Sequence, residues 1–113
     1  MQQSFGFLIK KTRKEKGYSQ RVLASLLGLD FTYLSKLEND RADYPPKEEV
    51  IRSLAVHLNL DAEELIFLAG RVPQKDGDFL RRYYKSMPIL FKKMRENPKF
   101  AEDIFKLASQ AKS

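Results

Sequence analysis

Apolar residues recur at helical spacing along the whole 113-residue sequence, and this periodicity most limits the folds available to the chain. No segment alternates apolar and polar residues in the way a half-buried strand rich in β-branched residues would. We therefore predict an all-α protein. Helix-capping residues together with Gly and Pro stops divide it into five helices before residue 70 and two or three after it.

The composition divides the chain into three segments. Residues 1–70 are expected to form one compact domain. Residues 71–77 replace the apolar pattern with Pro, Gly and charged residues, which predicts a linker. Residues 78–113 are expected to form a helical extension, in which Asp78 caps a helix that continues to Met87 and dimerisation is the expected role.

The formal net charge of +6 is unevenly distributed along the chain. Residues 1–41 contain eight basic and four acidic residues, residues 42–70 two basic and six acidic, and residues 71–113 eleven basic and five acidic. The first seventy residues are therefore neutral but polarised. Phosphates respond to the local potential, so a basic face of such a domain can bind DNA. The alternative is that the charges only solvate the outer faces of helices.

The residue types exclude several kinds of chemistry. The chain has no Cys, which excludes disulfides, thiolate metal sites and a cysteine nucleophile, and it has one His, His57, which we place at a surface or boundary position. The acidic pairs 48–49 and 63–64 are adjacent in sequence and fit first-turn positions of helices better than acid–base catalysis. We expect no enzymatic activity, no metal and no cofactor.

The longest apolar run spans residues 7–9, far short of the ~20 residues that cross a bilayer. The N-terminal residues also lack the order of regions that a signal peptide has. A cytoplasmic protein without membrane contact is therefore expected.

Residues 20–39 place two short amphipathic helices on either side of a Gly28-Leu29-Asp30 turn. This is the helix-turn-helix arrangement, whose second helix presents its outer face to the major groove of DNA. The small side chain of Ala24 would allow the two helices to approach closely. The residues expected to join the helices are Leu23, Ala24, Leu27, Leu29, Leu34 and Leu37.

Over residues 5–69 the sequence resembles the phage-repressor/Cro-type (XRE-like) helix-turn-helix family. The resemblance is carried by the stretch Arg-Lys-Glu-Lys-Gly-Tyr-Ser-Gln at 13–20, by Leu-Ala at 23–24 and Leu-Gly at 27–28, and by Leu-Ser-Lys-Leu-Glu-Asn at 34–39. It implies a compact five-helix, lambda-repressor-like domain that binds operator DNA as a homodimer. Residues 71–113 lie outside the resemblance.

The resemblance also implies roles for individual residues. Arg13 and Glu38 match a structural salt bridge between the first and third helices. The base-reading positions are Phe31, Thr32 and Lys36, and the flanking or phosphate-contacting positions are Gln20, Tyr33, Ser35, Asn39 and Arg41.

Three of these positions depart from the family pattern or have a simpler explanation. Phe31 stands where the family often has a polar residue, and a phenyl ring contacts a thymine methyl group but cannot hydrogen-bond a base. Phe31 could instead pack on its own domain or on a dimer partner. Lys36 and Arg41 could be ordinary solvated charges. A smaller departure is Thr12, at a position usually occupied by an aliphatic residue.

The C-terminal segment is rich in apolar residues interleaved with Lys and Arg, and several explanations remain open. Its apolar residues could cover the five-helix core, form a dimer interface or bind a protein partner, and a basic amphipathic helix could lie on a membrane. We favour dimerisation, through Phe79, Tyr83, Met87, Leu90, Phe91 and Met94.

Together these features predict a sequence-specific transcriptional regulator, a repressor by preference, that binds a two-fold site in double-stranded DNA as a homodimer. The alternative is an antitoxin-like or accessory module whose C-terminal helices bind another protein.

Overall fold

The computed structural model describes residues 3–111, and this range contains eight α-helices and one 3₁₀ turn but no strand. The all-α prediction is therefore confirmed. The chain divides into two compact units, which we call unit 1 (Met1–Gln74) and unit 2 (Lys75–Ser113).

Unit 1 contains the five helices predicted before residue 70. They are α1 (Phe5–Glu15), α2 (Gln20–Leu27), α3 (Phe31–Glu38), α4 (Glu48–Leu58) and α5 (Ala62–Leu68). All five helices contribute to one apolar core, and α5 packs against α4. The core is formed by Phe5, Ile9, Leu23, Ala24, Leu34, Leu37, Ile51, Leu54, Ala55, Leu58, Leu65 and Ile66.

Polar side chains fix where most of these helices begin. At four of the five N-termini in unit 1 a side-chain oxygen accepts a hydrogen bond from a first-turn amide that the helix leaves unpaired. The N-cap residue of α4, Lys47, makes no such hydrogen bond. The acidic residues in the first turn of α4 instead interact favourably with the positive end of the helix dipole. The capping residues are Ser4, Ser19, Asp30 and Asp61.

The turn between α2 and α3 depends on Gly28, whose φ of +67° lies in the left-handed region that favours glycine. The next amide, that of Leu29, donates to the carbonyl of Ala24 and closes the end of α2. Four of the six residues expected to join the helices are buried, whereas Leu27 and Leu29 are only half-buried.

A second joint connects the start of α1 to the end of α3 through Asp40. Its carboxylate accepts hydrogen bonds from the backbone amide of Gly6, at 2.9 Å, and from the Ser4 hydroxyl, at 2.8 Å. The two backbones approach so closely that a Cβ on Gly6 would lie 2.5 Å from the carbonyl oxygen of Leu37. Only glycine fits at residue 6 without moving α3.

The first half of the predicted linker is attached to unit 1. The guanidinium of Arg71 donates to the carbonyl oxygens of Pro45 and Pro46, and the amide of Gln74 donates to the Glu48 carboxylate at 2.7 Å. Residues 71–77 are predicted to be a linker, and the boundary between the two units falls within this range, after residue 74.

Unit 2 consists of a 3₁₀ turn (Gln74–Asp76, which begins at the boundary) followed by α6 (Gly77–Arg82), α7 (Ser86–Glu96) and α8 (Pro98–Gln110). The prediction of one helix from Asp78 to Met87 is wrong, because α6 ends at Arg82 and the chain turns at residues 83–85. Pro88 lies in the first turn of α7, where a residue needs no backbone amide donor. Helices α7 and α8 pack against each other.

Within residues 3–111 no helix is long and apolar enough to cross a membrane.

We expect Gly6→Ala to destabilise unit 1 by about 1–3 kcal/mol, because the added methyl group overpacks the joint between α1 and α3. Urea unfolding followed by circular dichroism measures the change. Lys11→Ala on an exposed position of the same helix is the matched control, and equal midpoints for the two variants would contradict the close approach.

Candidate nucleic-acid interface

The outward face of α3 is a short polar surface backed by the core. Thr32 and Lys36 are one helical turn apart and both exposed, whereas Leu34 and Leu37 on the opposite face are buried. A hydroxyl and an ammonium group on an accessible helix face are hydrogen-bond donors suited to base edges and phosphates.

Phe31 begins α3 and is 39% exposed. One face of its ring is covered by the guanidinium of Arg21 from α2, whose Cζ atom lies 4.6 Å from the ring centroid. This distance is that of a cation–π contact. Phe31 therefore contacts its own domain while part of the ring stays accessible.

The remaining predicted positions on α3 lie beside this surface. Tyr33 is half-buried and packs against the core, and Ser35 is also half-buried. The side-chain amide of Asn39 donates to the Ser35 carbonyl at 2.8 Å, which satisfies a C-terminal carbonyl of the helix. Arg41 is exposed just beyond the end of α3, and its backbone amide donates to the Lys36 carbonyl.

Arg13 and Glu38 form a buried, bidentate ion pair between α1 and α3. The Nε and Nη2 atoms of Arg13 lie 2.7 and 3.0 Å from the two Glu38 carboxylate oxygens, and the side chains are 9% and 0% exposed. The third nitrogen, Nη1, donates to the Tyr18 carbonyl at 2.9 Å. Because each polar group has a partner, the burial of the two charges is compensated.

Gln20, predicted to contact a phosphate, is directed in part toward this ion pair. Its Nε2 donates to the Glu38 carboxylate at 2.9 Å, so α2 is joined to the same group as α1. Gln20 also stands at the first position of α2, where backbone amides and the positive end of the helix dipole favour an anion.

Sequence reasoning missed Arg21. The sequence places an arginine at the second position of α2 and an aromatic residue at the first position of α3. That these two side chains contact each other follows only from how the two helices pack.

The apolar residues predicted for a dimer interface separate into two groups. Phe79, Tyr83 and Phe91 are 54%, 44% and 52% exposed. The ring centroids of Phe79 and Tyr83 are 4.9 Å apart. The other three, Met87, Leu90 and Met94, are half-buried on α7. Additional exposed apolar residues, which the prediction did not include, are Tyr84, Ile89, Phe105 and Leu107.

Two helices joined at a Gly28 turn, the second with a buried inner face and a polar accessible outer face, define a DNA-binding helix-turn-helix domain. A sequence model of the family described as "Helix-turn-helix domain" matches residues 6–71. The chain therefore belongs to the XRE-like helix-turn-helix family predicted from its sequence, a family of DNA-binding transcriptional regulators.

Similar proteins agree with this assignment. The ImmF control region 10 kDa protein of Bacillus phage phi105 is 39% identical over 72 residues, which are 64% of this chain and 78% of that protein. A crystal structure of SinR, a master regulator for biofilm formation, in complex with DNA is 32% identical, with a TM-score of 0.50, and covers 55% of this chain and 97% of that one. A SinR–SinI protein complex shares the fold at 24% identity and a TM-score of 0.51, over 88% of this chain and 98% of that one.

We expect Glu38→Leu to reduce the free energy of unfolding by about 3–5 kcal/mol, because it leaves the Arg13 guanidinium buried without its partner. The double variant Arg13→Met/Glu38→Leu should recover most of this loss, since no buried charge then remains unpaired. Urea unfolding measures all three proteins.

Arg52→Met is the control for this series. It breaks the partly exposed pair between Arg52 and Glu48, for which a cost of at most about 1 kcal/mol is expected. A loss for Glu38→Leu no larger than that of the control would contradict a structural role for the buried pair.

Proposed function

We propose that this chain is a non-catalytic, sequence-specific transcriptional repressor that binds a two-fold operator in double-stranded DNA as a homodimer. In this proposal α3 enters the major groove, α2 lies across the DNA backbone, and unit 2 joins two copies. Such a protein acts in the cytoplasm and needs no metal or cofactor.

The observation that carries DNA binding is the outer face of α3. Thr32 and Lys36 are exposed together on a helix whose inner face is held in the core, so the fold presents them without covering them. Arg41 at the end of α3 and the first turn of α2 flank this face and suit phosphates on either side. Phosphate contacts would position the domain, and the two α3 side chains would read bases.

The observation that supports a homodimer is the lack of an interior in unit 2. Among its described residues, 75–111, no side chain is buried, while aromatic rings on α6, α7 and α8 remain largely in solvent. Aromatic and Met side chains are enriched at protein interfaces, and a two-fold protein would match the proposed two-fold operator. A second copy supplies both an interior and the symmetry.

The same apolar surface favours a second candidate function, which is the binding of a different protein by unit 2. The structure described as a SinR–SinI complex aligns with most of this chain, and there the fold occurs in a complex of two proteins. In this alternative an accessory or antitoxin-like module uses unit 2 for its partner.

Selection of bound duplexes from a random pool tests DNA binding and symmetry together. We expect an enriched sequence with two inverted half-sites centred about 10 base pairs apart, one helical turn, and an affinity whose logarithm falls with log salt by ~0.9 for each phosphate contacted. Enrichment of a single, unpaired half-site would contradict the dimer, and no enrichment would contradict sequence-specific binding.

Two substitutions separate base reading from positioning. Lys36→Ala should relax the selected sequence at one position of each half-site, at a cost of ~1–3 kcal/mol for the preferred base. Gln20→Ala should weaken binding to all duplexes similarly, and it also removes one hydrogen bond to Glu38. Affinities for a set of single-base variants of the selected duplex measure both effects, and identical profiles would contradict the two roles.

Phe91→Asp should convert the dimer to a monomer at micromolar concentration, because it places a charge in the proposed interface. Analytical ultracentrifugation of the full chain measures the mass. Phe67→Asp is a closely matched control, since Phe67 is 54% exposed in unit 1 and Phe91 is 52% exposed in unit 2. A dimer that survives Phe91→Asp, or one that Phe67→Asp also breaks, would assign assembly to another surface.

A further inference from the structure

We propose that Arg21 reads a guanine in each half-site and that Phe31 is the positioning residue that holds its guanidinium beside the recognition helix. The inference rests on the proposed function, because it concerns the same DNA-facing surface. It adds a base-reading residue from α2, the helix that would otherwise only contact the DNA backbone.

The contact between the two side chains bridges α2 and α3 at the ends where both helices begin. Arg21 is the second residue of α2, and Phe31 is the first residue of α3. The distance of 4.6 Å from Cζ to the ring centroid is well inside the ~6 Å range of cation–π contacts. The ring therefore favours one placement of the charged end of a long side chain.

The guanidinium keeps its hydrogen-bonding capacity in this arrangement. It carries five N–H donors, and no group of the described residues accepts a side-chain hydrogen bond from Arg21. Among residues 3–111 the side chain of Arg21 forms no ion pair with a carboxylate, and it is exposed. Guanine presents O6 and N7 side by side in the major groove, and two parallel donors of an arginine match this pair of acceptors.

The position of the ring favours a base over a phosphate as the target. In a bound helix-turn-helix domain the first helix crosses the backbone, and N-terminal residues of the second helix reach base edges. Phe31 is such an N-terminal residue, so a guanidinium in contact with its ring would lie nearer the groove than one that contacts only the backbone. An arginine at the same position of α2 without the ring would be expected to contact phosphate.

This arrangement also explains how an aromatic residue can stand at a base-reading position. Phe31 cannot hydrogen-bond a base, but it can place a residue that does. The hydrogen-bonding surface would then consist of Arg21, Thr32 and Lys36.

The test uses the full chain and the random duplex pool, with wild type, Arg21→Ala, Phe31→Leu and Phe31→Trp selected in parallel and Lys36→Ala as the control. Binding of single-base variants of the wild-type duplex then gives the preference at every position. Thermal unfolding by circular dichroism verifies that each protein is folded, which is expected since both residues are exposed.

We expect wild type to prefer guanine at one position of each half-site by about ten-fold or more. Arg21→Ala should lose this preference and bind duplexes with any base at that position equally well. Phe31→Leu should reduce that preference by about two- to five-fold, the strength of an exposed cation–π contact, and Phe31→Trp should retain it because tryptophan is the best ring for this contact. Lys36→Ala should keep this guanine and lose a different position.

Three results would overturn the inference. If Arg21→Ala weakens all duplexes equally, Arg21 contacts phosphate, and if it changes nothing, Arg21 does not contact DNA. If Phe31→Leu leaves the guanine preference intact, the ring does not position the arginine. In all three cases wild type still enriches a two-fold site, so the proposed function stands, whereas a wild type that enriches no sequence overturns the proposed function and the inference together.

Discussion

The ion pair between Arg13 and Glu38 is the interaction on which the position of α3 depends. Two charges removed from water destabilise a fold unless their geometry is good, and here both carboxylate oxygens accept from the guanidinium while Gln20 and the Tyr18 carbonyl bind the remaining polar groups. Apolar burial in the core is strong but not directional. The ion pair is directional, so three helices meeting at one carboxylate hold α3 in a defined orientation.

The contacts between the start of α1 and the end of α3 do not involve the outer face of α3. Asp40 binds the start of α1, and Gly6 lets the two backbones meet, so contacts behind the helix and beyond its end hold it in place. The side chains of Thr32 and Lys36 are exposed and take no part in these contacts. In the proposed function, substitutions on the outer face would therefore change DNA recognition with little effect on folding, whereas substitutions at Arg13 would affect both.

Local sequence rules predicted the helices of unit 1 but not the break at residues 83–85, and tertiary contacts account for the other features that they missed. The helices of unit 1 follow from N-cap residues and from Gly28, which act over a few residues. The contact of Arg21 with Phe31 joins two helices and depends on their crossing angle, which periodicity does not report. Arg71 similarly reads as a solvated charge within a Pro- and Gly-containing segment, yet its partners are backbone carbonyls of residues 45 and 46, far away in the sequence.

The absence of buried side chains in residues 75–111 has a consequence for how the proposed repressor responds to its own amount. In the proposed homodimer this unit gains its buried packing from the second copy, so its folding and its assembly would be coupled and its stability would depend on protein concentration. Below the dissociation constant the dimer population rises with the square of the monomer concentration. Occupancy of a two-fold operator would therefore respond to synthesis and degradation rates more steeply than the occupancy of a monomer site, and this steeper response would need no ligand.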